Sequence, residues 1–550
     1  MSDGTHERGP STSSPMPAFI DLRLVPAALA VWAGCWWGTG AYDWPFGYLA
    51  ILSVVMGLFV IAALAMMWRR REETARPEPR HRLTPSGSVR SSLALVCVAT
   101  AGACLLAAQA RATYEADPFH QAFLSHHSLE CDVEIIGYPR AHNTGSSFSG
   151  KSVSLPARTV RIYLKDGRAV ASSVEVRIRG KGMMAFQRGD RLRIRVKPAA
   201  RQRLPAPIAA ELQMTRLIER SPARGLTAIP AVIRAHTHAV LASASPDAQG
   251  LIPGMAMGDR SALPAQLNKA MRAASMTHLS AISGIHIAVL LTGIALIVPG
   301  RGVLRITAIV CALTTVILLA GPTASVLRSV TMAAIGAWGL LSRRSGQGLA
   351  SLAVAAIVML YADPWNARSF SFALSTAATA GVVLHGRRWQ EWGTRRFQQH
   401  TALNGIARTV HAMVSVPLAA QIWVMPVMIL MEPQLPLWGV AANVAVAPVV
   451  APLTFLSLVV CLGAPAWPGL SMTFLALADP LCTWVAGIAR SVADLPHAQI
   501  PWVEGIDGAI LWCVMLMIAS GGIKVVMRVG HWKATRTPAG TTHRGEHGAT

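Results

Sequence analysis

A chain of 550 residues that is 52% hydrophobic and only 14% charged falls well below the roughly one-quarter charge content of soluble domains. Its mean hydropathy of +0.41 and its repeated apolar runs, many near the ~20 residues of a bilayer crossing, exclude a soluble enzyme and predict a polytopic membrane protein. The net charge of +23 is more than orienting loops account for, and the excess suits a polyanion such as nucleic acid or anionic lipid.

Residues 1–20 are rich in Ser, Pro, Gly and Thr and are expected to form a disordered cytoplasmic tail. Three transmembrane helices are predicted over 21–110, in the runs Leu24–Gly40, Phe46–Trp68 and Ser91–Ala110. The first run lacks a small-residue cleavage site and reads as a retained span. Arg69, Arg70 and Arg71 with Arg76, Arg80 and Arg82 place the loop after the second run in the cytoplasm.

Over 111–230 the pattern changes to short alternating segments, among them Thr159–Leu164, Ser173–Arg179 and Arg191–Lys197, which predict strands. Gly180, Gly182 and Gly189 supply turns. This segment is expected to be an inserted, extracytoplasmic, basic β-rich domain, with a five-stranded barrel of the OB type as its candidate form. From 231 to 530 the chain returns to apolar runs, starting near Ile282, Val303, Ala324, Leu349, Phe370, Val410, Leu437, Met472 and Ala509. With the first three they make about twelve spans. Arg301 and Arg305, Arg343 and Arg344, Arg387 and Arg388, Arg395 and Arg396, and the tail from Lys524 fall on one side. Both termini are then cytoplasmic, and 531–550 reads as a second disordered tail.

Eight cysteines are present, seven of them in apolar runs, and Cys131 stands alone in the β-rich segment. There is no Cys-x-x-Cys pair, His236-Thr-His238 lacks a following Asp-His, and no phosphate loop is visible. No metal, cofactor or ATPase site is therefore expected.

Two features carry candidate chemistry. Arg177 and Arg179 precede Arg191, Arg193, Arg195 and Lys197, and the last four project from one strand face at a spacing of about 7 Å. That is near the phosphate spacing of an extended nucleic-acid strand; a solvated strand face or contact with headgroups are the alternatives. The second feature is Asp259-Arg260 with His278, Ser283, Gly284 and His286 at the edge of an apolar run, joined further on by Arg328 and Asn443. Ionisable groups at membrane depth are costly and usually functional. Bonding to neighbouring helices, a pore lining, and catalysis all remain open. His278 and His286 would lie roughly 80° apart on a helix. Ser283 and His286 would share a helical face, a poor geometry for a nucleophile and its base.

The blocks Gly258-Asp-Arg-Ser-Ala-Leu-Pro and Thr277-His-Leu-Ser-Ala-Ile-Ser-Gly-Ile-His resemble the ComEC competence-protein family. The resemblance continues through Gly321, Ser325, Arg328 and Met332, through Asp363-Pro364 with Ser369–Ser375, and through Asn443 and Pro448. Phe372 departs from a position often polar in the family. Many relatives continue into a metallo-β-lactamase-like domain, whereas this sequence ends in a short basic tail, so strand degradation is expected of another protein. The resemblance implies that 231–530 is a channel domain, not an enzyme, that carries single-stranded DNA across the cytoplasmic membrane during natural transformation. It implies as partners DNA, lipid, an extracytoplasmic DNA receptor and a cytoplasmic helicase-like ATPase, with an oligomer not excluded. Asp259, Arg260, His278, Ser283, Gly284, His286, Arg328 and Asn443 are the pore or gate candidates. An intramembrane serine hydrolase using Ser283 and His286 is the second reading; a solute transporter would leave the basic strand unexplained.

Overall fold

The computed structural model describes residues 24–40, 86–125, 128–142, 152–164, 166–199, 207–280, 282, 284–298, 303–322, 324–341, 348–396 and 402–534. The predicted span Phe46–Trp68, the basic run Arg69–Arg71, the tail 1–20, most of 531–550 and the candidate Ser283 lie outside these residues.

Helix α1 (Val25–Gly38) opens with a proline in its first turn, where the missing N–H costs nothing. It packs on α2 (Ser86–Glu115) through small residues: a Cβ on Gly34 would lie 2.9 Å from Cys104 Sγ, and one on Gly38 2.5 Å from Ala107 Cβ. α2 hands over to the short α3 (Pro118–Ser125), whose Phe119 enters the core of the β-rich domain.

Seven strands follow: β1 (Leu129–Ile135), β2 (Arg140–His142), β3 (Ser152–Tyr163), β4 (Ala169–Ala171), β5 (Glu175–Gly180), β6 (Arg191–Pro198) and β7 (Ile208–Ser221). β1 pairs with both β3 and β6. β6 pairs with β7, β7 runs parallel to β5, and β5 pairs with β3. These pairings close a five-stranded, barrel-like ring, with β2 and β4 as additions to β3. The strand period of two sorts the side chains cleanly. Leu129, Cys131, Val133 and Ile135 of β1 meet Leu192, Ile194 and Val196 of β6 inside the ring, and the intervening polar residues face outward.

Beyond the barrel the chain is helical: α4 (Ile229–Val240), α5 (Pro246–Met257), α6 (Ala265–Ala273), α7 (Gly284–Ile297), α8 (Val303–Ala320), α9 (Ala324–Leu341), α10 (Gly348–Ala362), α11 (Phe370–Gly381), α12 (Arg387–Arg396), α13 (Ala402–Met431), α14 (Gly439–Gly463), α15 (Pro468–Ala493) and α16 (Gly505–Ala534). A two-stranded pairing of β8 (Gln434–Pro436) with β9 (Gln499–Pro501) ties the loops before α14 and α16. Among the described residues five helices are long and apolar enough to cross a membrane, and five further apolar helices are shorter. The figure of about twelve is thus not reached by length alone. The chain breaks its apolar runs: Asp363-Pro364 ends α10 after 15 residues, a π-helical turn at Val382–Gly386 interrupts α11, and α7 starts only at Gly284. Large apolar side chains on the bundle's outer faces, such as Leu296 at 81% and Val303 at 79% exposure, have the character of lipid contacts.

One short helix lies inside the bundle. Ten of the 12 residues of α5 are buried, against α14 and α15. Gly250, Gly254 and Gly258 recur every fourth residue, so two of them line one face, on which other backbone packs: a Cβ at Gly254 would lie 2.9 Å from the Ser280 carbonyl oxygen, and one at Gly250 2.6 Å from Leu263 Cα. Non-helical backbone at depth is tolerated when protein covers it in this way.

Candidate functional site

The barrel is seated on the end of a membrane helix. Tyr138 donates to the Leu319 carbonyl at 2.8 Å, and Arg188 donates to the carbonyls of Leu318 and Leu319 at 3.1 and 3.2 Å. These are last-turn acceptors of α8, without helical donors of their own and carrying negative partial charge. Gly321 has φ +83°, and a Cβ there would lie 2.7 Å from the Arg188 guanidinium carbon; glycine fits both the backbone and the space.

Asp259 forms the second joint, and not with the histidines near which the sequence set it. Its carboxylate is buried and accepts from Arg234 Nε at 2.6 Å, lies 3.0 Å from His238 Nε2, and accepts from the Ser261 backbone N–H at 2.9 Å. Arg234 reaches on to Gln187 of the barrel at 2.9 Å and to Ser261 Oγ at 3.0 Å. Burial alone would raise the Asp259 pKa. The hydrogen bond with His238 and the charge of Arg234 outweigh it and hold the carboxyl well below its ordinary range. A shallow cleft of about 340 Å³ opens here, lined by Met184, Gln187, Arg234, His238 and Ser261 among others.

Arg260 points the other way and clamps the turn carrying His278. It donates to the Ser280 carbonyl at 2.7 Å and to the Thr277 carbonyl at 3.1 Å. Asn443 of α14 steadies the same segment from outside, donating to the carbonyls of Gly439 at 2.8 Å and Ser275 at 3.4 Å. His278 is accessible to water, yet burial lowers its proton affinity, the backbone hydrogen bond at Ser275 opposes this, and Arg260 adds to it. Arg140 of β2 is in the same situation: exposed, but with its proton affinity lowered by burial and then by Arg177. Arg140 in turn helps burial bring Arg260 down to about 10. Within the bundle His286 is 4% and Arg328 4% exposed. Gly284 lies against Arg328, with a Cβ position 3.6 Å from its Nη2.

The structure thus brings Arg177 within electrostatic reach of Arg140, Arg140 of Arg260, and Arg260 of His278, and Gly284 close to Arg328, while Asp259 belongs to the joint beside them. Arg140, Arg234 and His238 were missed from the sequence as site residues. Arg234 and His238 are 25 and 21 residues from their carboxylate, beyond any helical spacing.

The basic row on β6 needs a correction. Arg191, Arg193, Arg195 and Lys197 do share a face, but the row is not a bare stripe of like charge. β1 lies beside it in antiparallel register, with Glu134, Asp132 and Glu130 opposite Arg191, Arg193 and Arg195. Each pair is within ion-pair distance, at 3.7, 2.9 and 3.3 Å. Arg179 likewise meets Glu211 at 2.5 Å. Lys197 and Arg177 have no ion pair among the described residues. Across 129–221 the chain still holds 18 basic against 8 acidic residues, so the barrel remains cationic overall. Among the described residues no cluster of His, Cys, Asp and Glu is grouped to hold a metal ion.

Residues 255–526, just under half of the chain, match the family described as Competence protein. The matched stretch begins just before Asp259 and ends within α16. Over 262 residues the chain is 23% identical to the ComE operon protein 3 of Bacillus subtilis, covering 46% of this chain and 31% of that protein. Over 233 residues it is 30% identical to the uncharacterized protein YcaI of Escherichia coli, covering 39% of this chain and 29% of that one. The chain thus aligns with about a third of the length of these relatives. No solved structure matches the chain.

Proposed function

We propose that this protein carries single-stranded DNA across the cytoplasmic membrane during natural transformation. The observation that carries the reading is the succession Arg177, Arg140, Arg260, His278, then His286 and Arg328, which leads from the barrel wall to the bundle interior. Among the described residues no ion pair joins Arg177, Arg140, Arg260, His278 or Arg328 to a carboxylate. A polyanion meets attraction along its length there, whereas a neutral solute gains nothing from it. The competence family and the likeness to the ComE operon protein 3 support the same assignment.

The barrel stands on the extracytoplasmic side in this reading. It sits at the C-terminal end of α8, while Arg305 lies in the first turn at the opposite end. The ring of Tyr114 at the end of α2 lies tilted against that of Trp365 after α10, with centroids 5.2 Å apart, and Arg368 reaches Thr39 at the end of α1. Reading each apolar helix as one crossing returns the chain to the barrel side at each of these points. Arg387, Arg388, Arg395 and Arg396 then fall on the other side with both termini, as the positive-inside rule requires of the cytoplasm. Lipid surrounds the bundle, and a DNA receptor outside and a helicase-like ATPase inside complete the machine.

The test is deletion of the gene in a competent host, with passage of labelled DNA into the cytoplasm and recombination of electroporated DNA measured separately. Passage is expected to fail and recombination to persist. Normal passage in the deletion strain contradicts the proposal.

A further inference from the structure

Helix α12 is not one of the apolar helices: it carries four arginines, Arg387, Arg388, Arg395 and Arg396, against one acid, Glu391. Such a run orients a membrane protein, but orientation needs neither aromatic residues nor a fixed support, and α12 has both. The chain enters it through the π-helical turn Val382–Gly386, so that His385, Trp389 and Trp392 follow at i, i+4 and i+7 and share one side. The His385 ring lies 5.6 Å from that of Trp389 and 5.7 Å from that of Trp423 of α13, whose Nε1 donates to His385 Nδ1 at 3.2 Å. Trp392 lies 5.5 Å from the His411 ring and is still 54% exposed.

α13 fixes this row from behind. His411 Nε2 donates to the Trp389 carbonyl at 2.7 Å, Gln390 donates to the Ala412 carbonyl at 3.3 Å, and a Cβ at Gly393 would collide with the His411 ring. The side turned outward holds Arg388 and Trp392, four residues apart and both exposed. The helix has no aliphatic residue: it reads Arg-Arg-Trp-Gln-Glu-Trp-Gly-Thr-Arg-Arg. An interfacial lipid anchor buries a continuous apolar face among acyl chains, and one exposed indole among arginines does not supply it. That combination fits a single nucleic-acid strand, whose bases offer a π face to the ring and whose phosphates take the cations. The place fits as well. Arg328, the last residue of the cationic succession, donates to Thr379 Oγ1 of α11 at 2.9 Å, and from Thr379 the chain reaches His385 within about two helical turns.

We infer that α12, backed by His411, forms a stacking platform for single-stranded DNA, with a base lying on Trp392 and a neighbouring phosphate on Arg388. That this strand is the one leaving the bundle rests on the DNA-passage reading and its orientation, which puts α12 in the cytoplasm; the binding surface itself does not. Every base has a π face, so the platform holds any sequence. A duplex hides its base faces and gains only from the charge.

The test uses the full chain in phosphatidylcholine nanodiscs with an oligo(dT) in which 5-iodouracil replaces some of the thymines. Irradiation joins the halogenated base to an aromatic ring stacked on it, and the cross-linked peptides are identified by mass spectrometry. A peptide of α12 joined at Trp392 is expected. Trp392→Leu should lower the cross-linking of α12 roughly tenfold with an unchanged unfolding midpoint, since the side chain is more than half exposed. Trp392→Phe, which keeps a π face, should retain the cross-link. Arg388→Gln should retain it too, with a salt dependence lower by about one phosphate contact. Cross-links to the barrel with none to α12 overturn the platform. Equal labelling of α12 by the annealed duplex means charge without stacking and also overturns it. Loss of the α12 cross-link when phosphatidylglycerol replaces part of the phosphatidylcholine makes lipid the occupant, with the same consequence. The two ideas fail separately: no cross-link to α12 with DNA passage intact removes only the platform, whereas a cross-link at Trp392 with normal passage in the deletion strain removes only the DNA-passage reading.

Discussion

Asp259 shows how little a residue's neighbours in sequence say about its role. The block around it marks it as costly to bury, and so it is, but the structure spends it on a joint between the barrel, α4 and the loop after α5. Removing its charge leaves Arg234 buried beside a neutral amide, and breaking a buried pair in this way costs about 3–5 kcal/mol. Asp259→Asn should therefore lower the unfolding midpoint of the solubilised protein. The sign of the pH dependence follows from the depressed carboxyl. Its folded-state pKa lies below the ordinary 3.8, so the stabilisation is whole above that value and is lost as pH falls through and below it. The difference between wild type and Asp259→Asn should therefore shrink below about pH 4. A midpoint for Asp259→Asn equal to wild type at neutral pH contradicts this account. Asp259 and Arg260 were legible from the sequence; Arg234 and His238 were not, because contacts across more than 20 residues leave no periodic trace.

Among the elements, β6 was read correctly in its own pattern and incompletely in its surroundings. Alternation gave its two faces, and the closed ring that follows from the strand order puts the apolar one inside. The acidic face of β1 has the same period, Glu130, Asp132 and Glu134, but which strand pairs with which depends on tertiary closure. This changes the expected outcome of charge reversal. Arg191, Arg193 and Arg195 all replaced by Glu would set like charges opposite one another, at a cost of roughly 0.2–1 kcal/mol for each pair. The triple variant should lose barrel stability, and a further exchange of Glu130, Asp132 and Glu134 for Arg should restore it, as read by thermal unfolding. Full stability of the triple variant alone contradicts the register. The breaks that shorten α7, α10 and α11 were visible as Gly284 and Pro364, but their effect on the number of crossings was not, because hydropathy measures runs and not the path between them.

Taken together, the barrel and the bundle form one body joined by Tyr138, Arg188 and Arg234, and that joint is where cationic groups pass from one to the other. Composition and charge had pointed to a membrane protein with a polyanionic partner, and the barrel was evident from alternation and turns. The proposed route was not, since Arg177 and Arg140 come from different strands and Arg140 comes near Arg260 only in the folded protein. The measurement that bears most directly on this route leaves the protein unaltered. Competent cells would take up DNA carrying 4-thiothymidine, be irradiated during passage, and have the cross-linked peptides identified. Peptides containing residues 138–142, 258–282 and 284–332 are expected to carry the single strand. Passage at normal levels with cross-links to the outer face of β6 alone, and none in the last two of these segments, would contradict a path through the bundle.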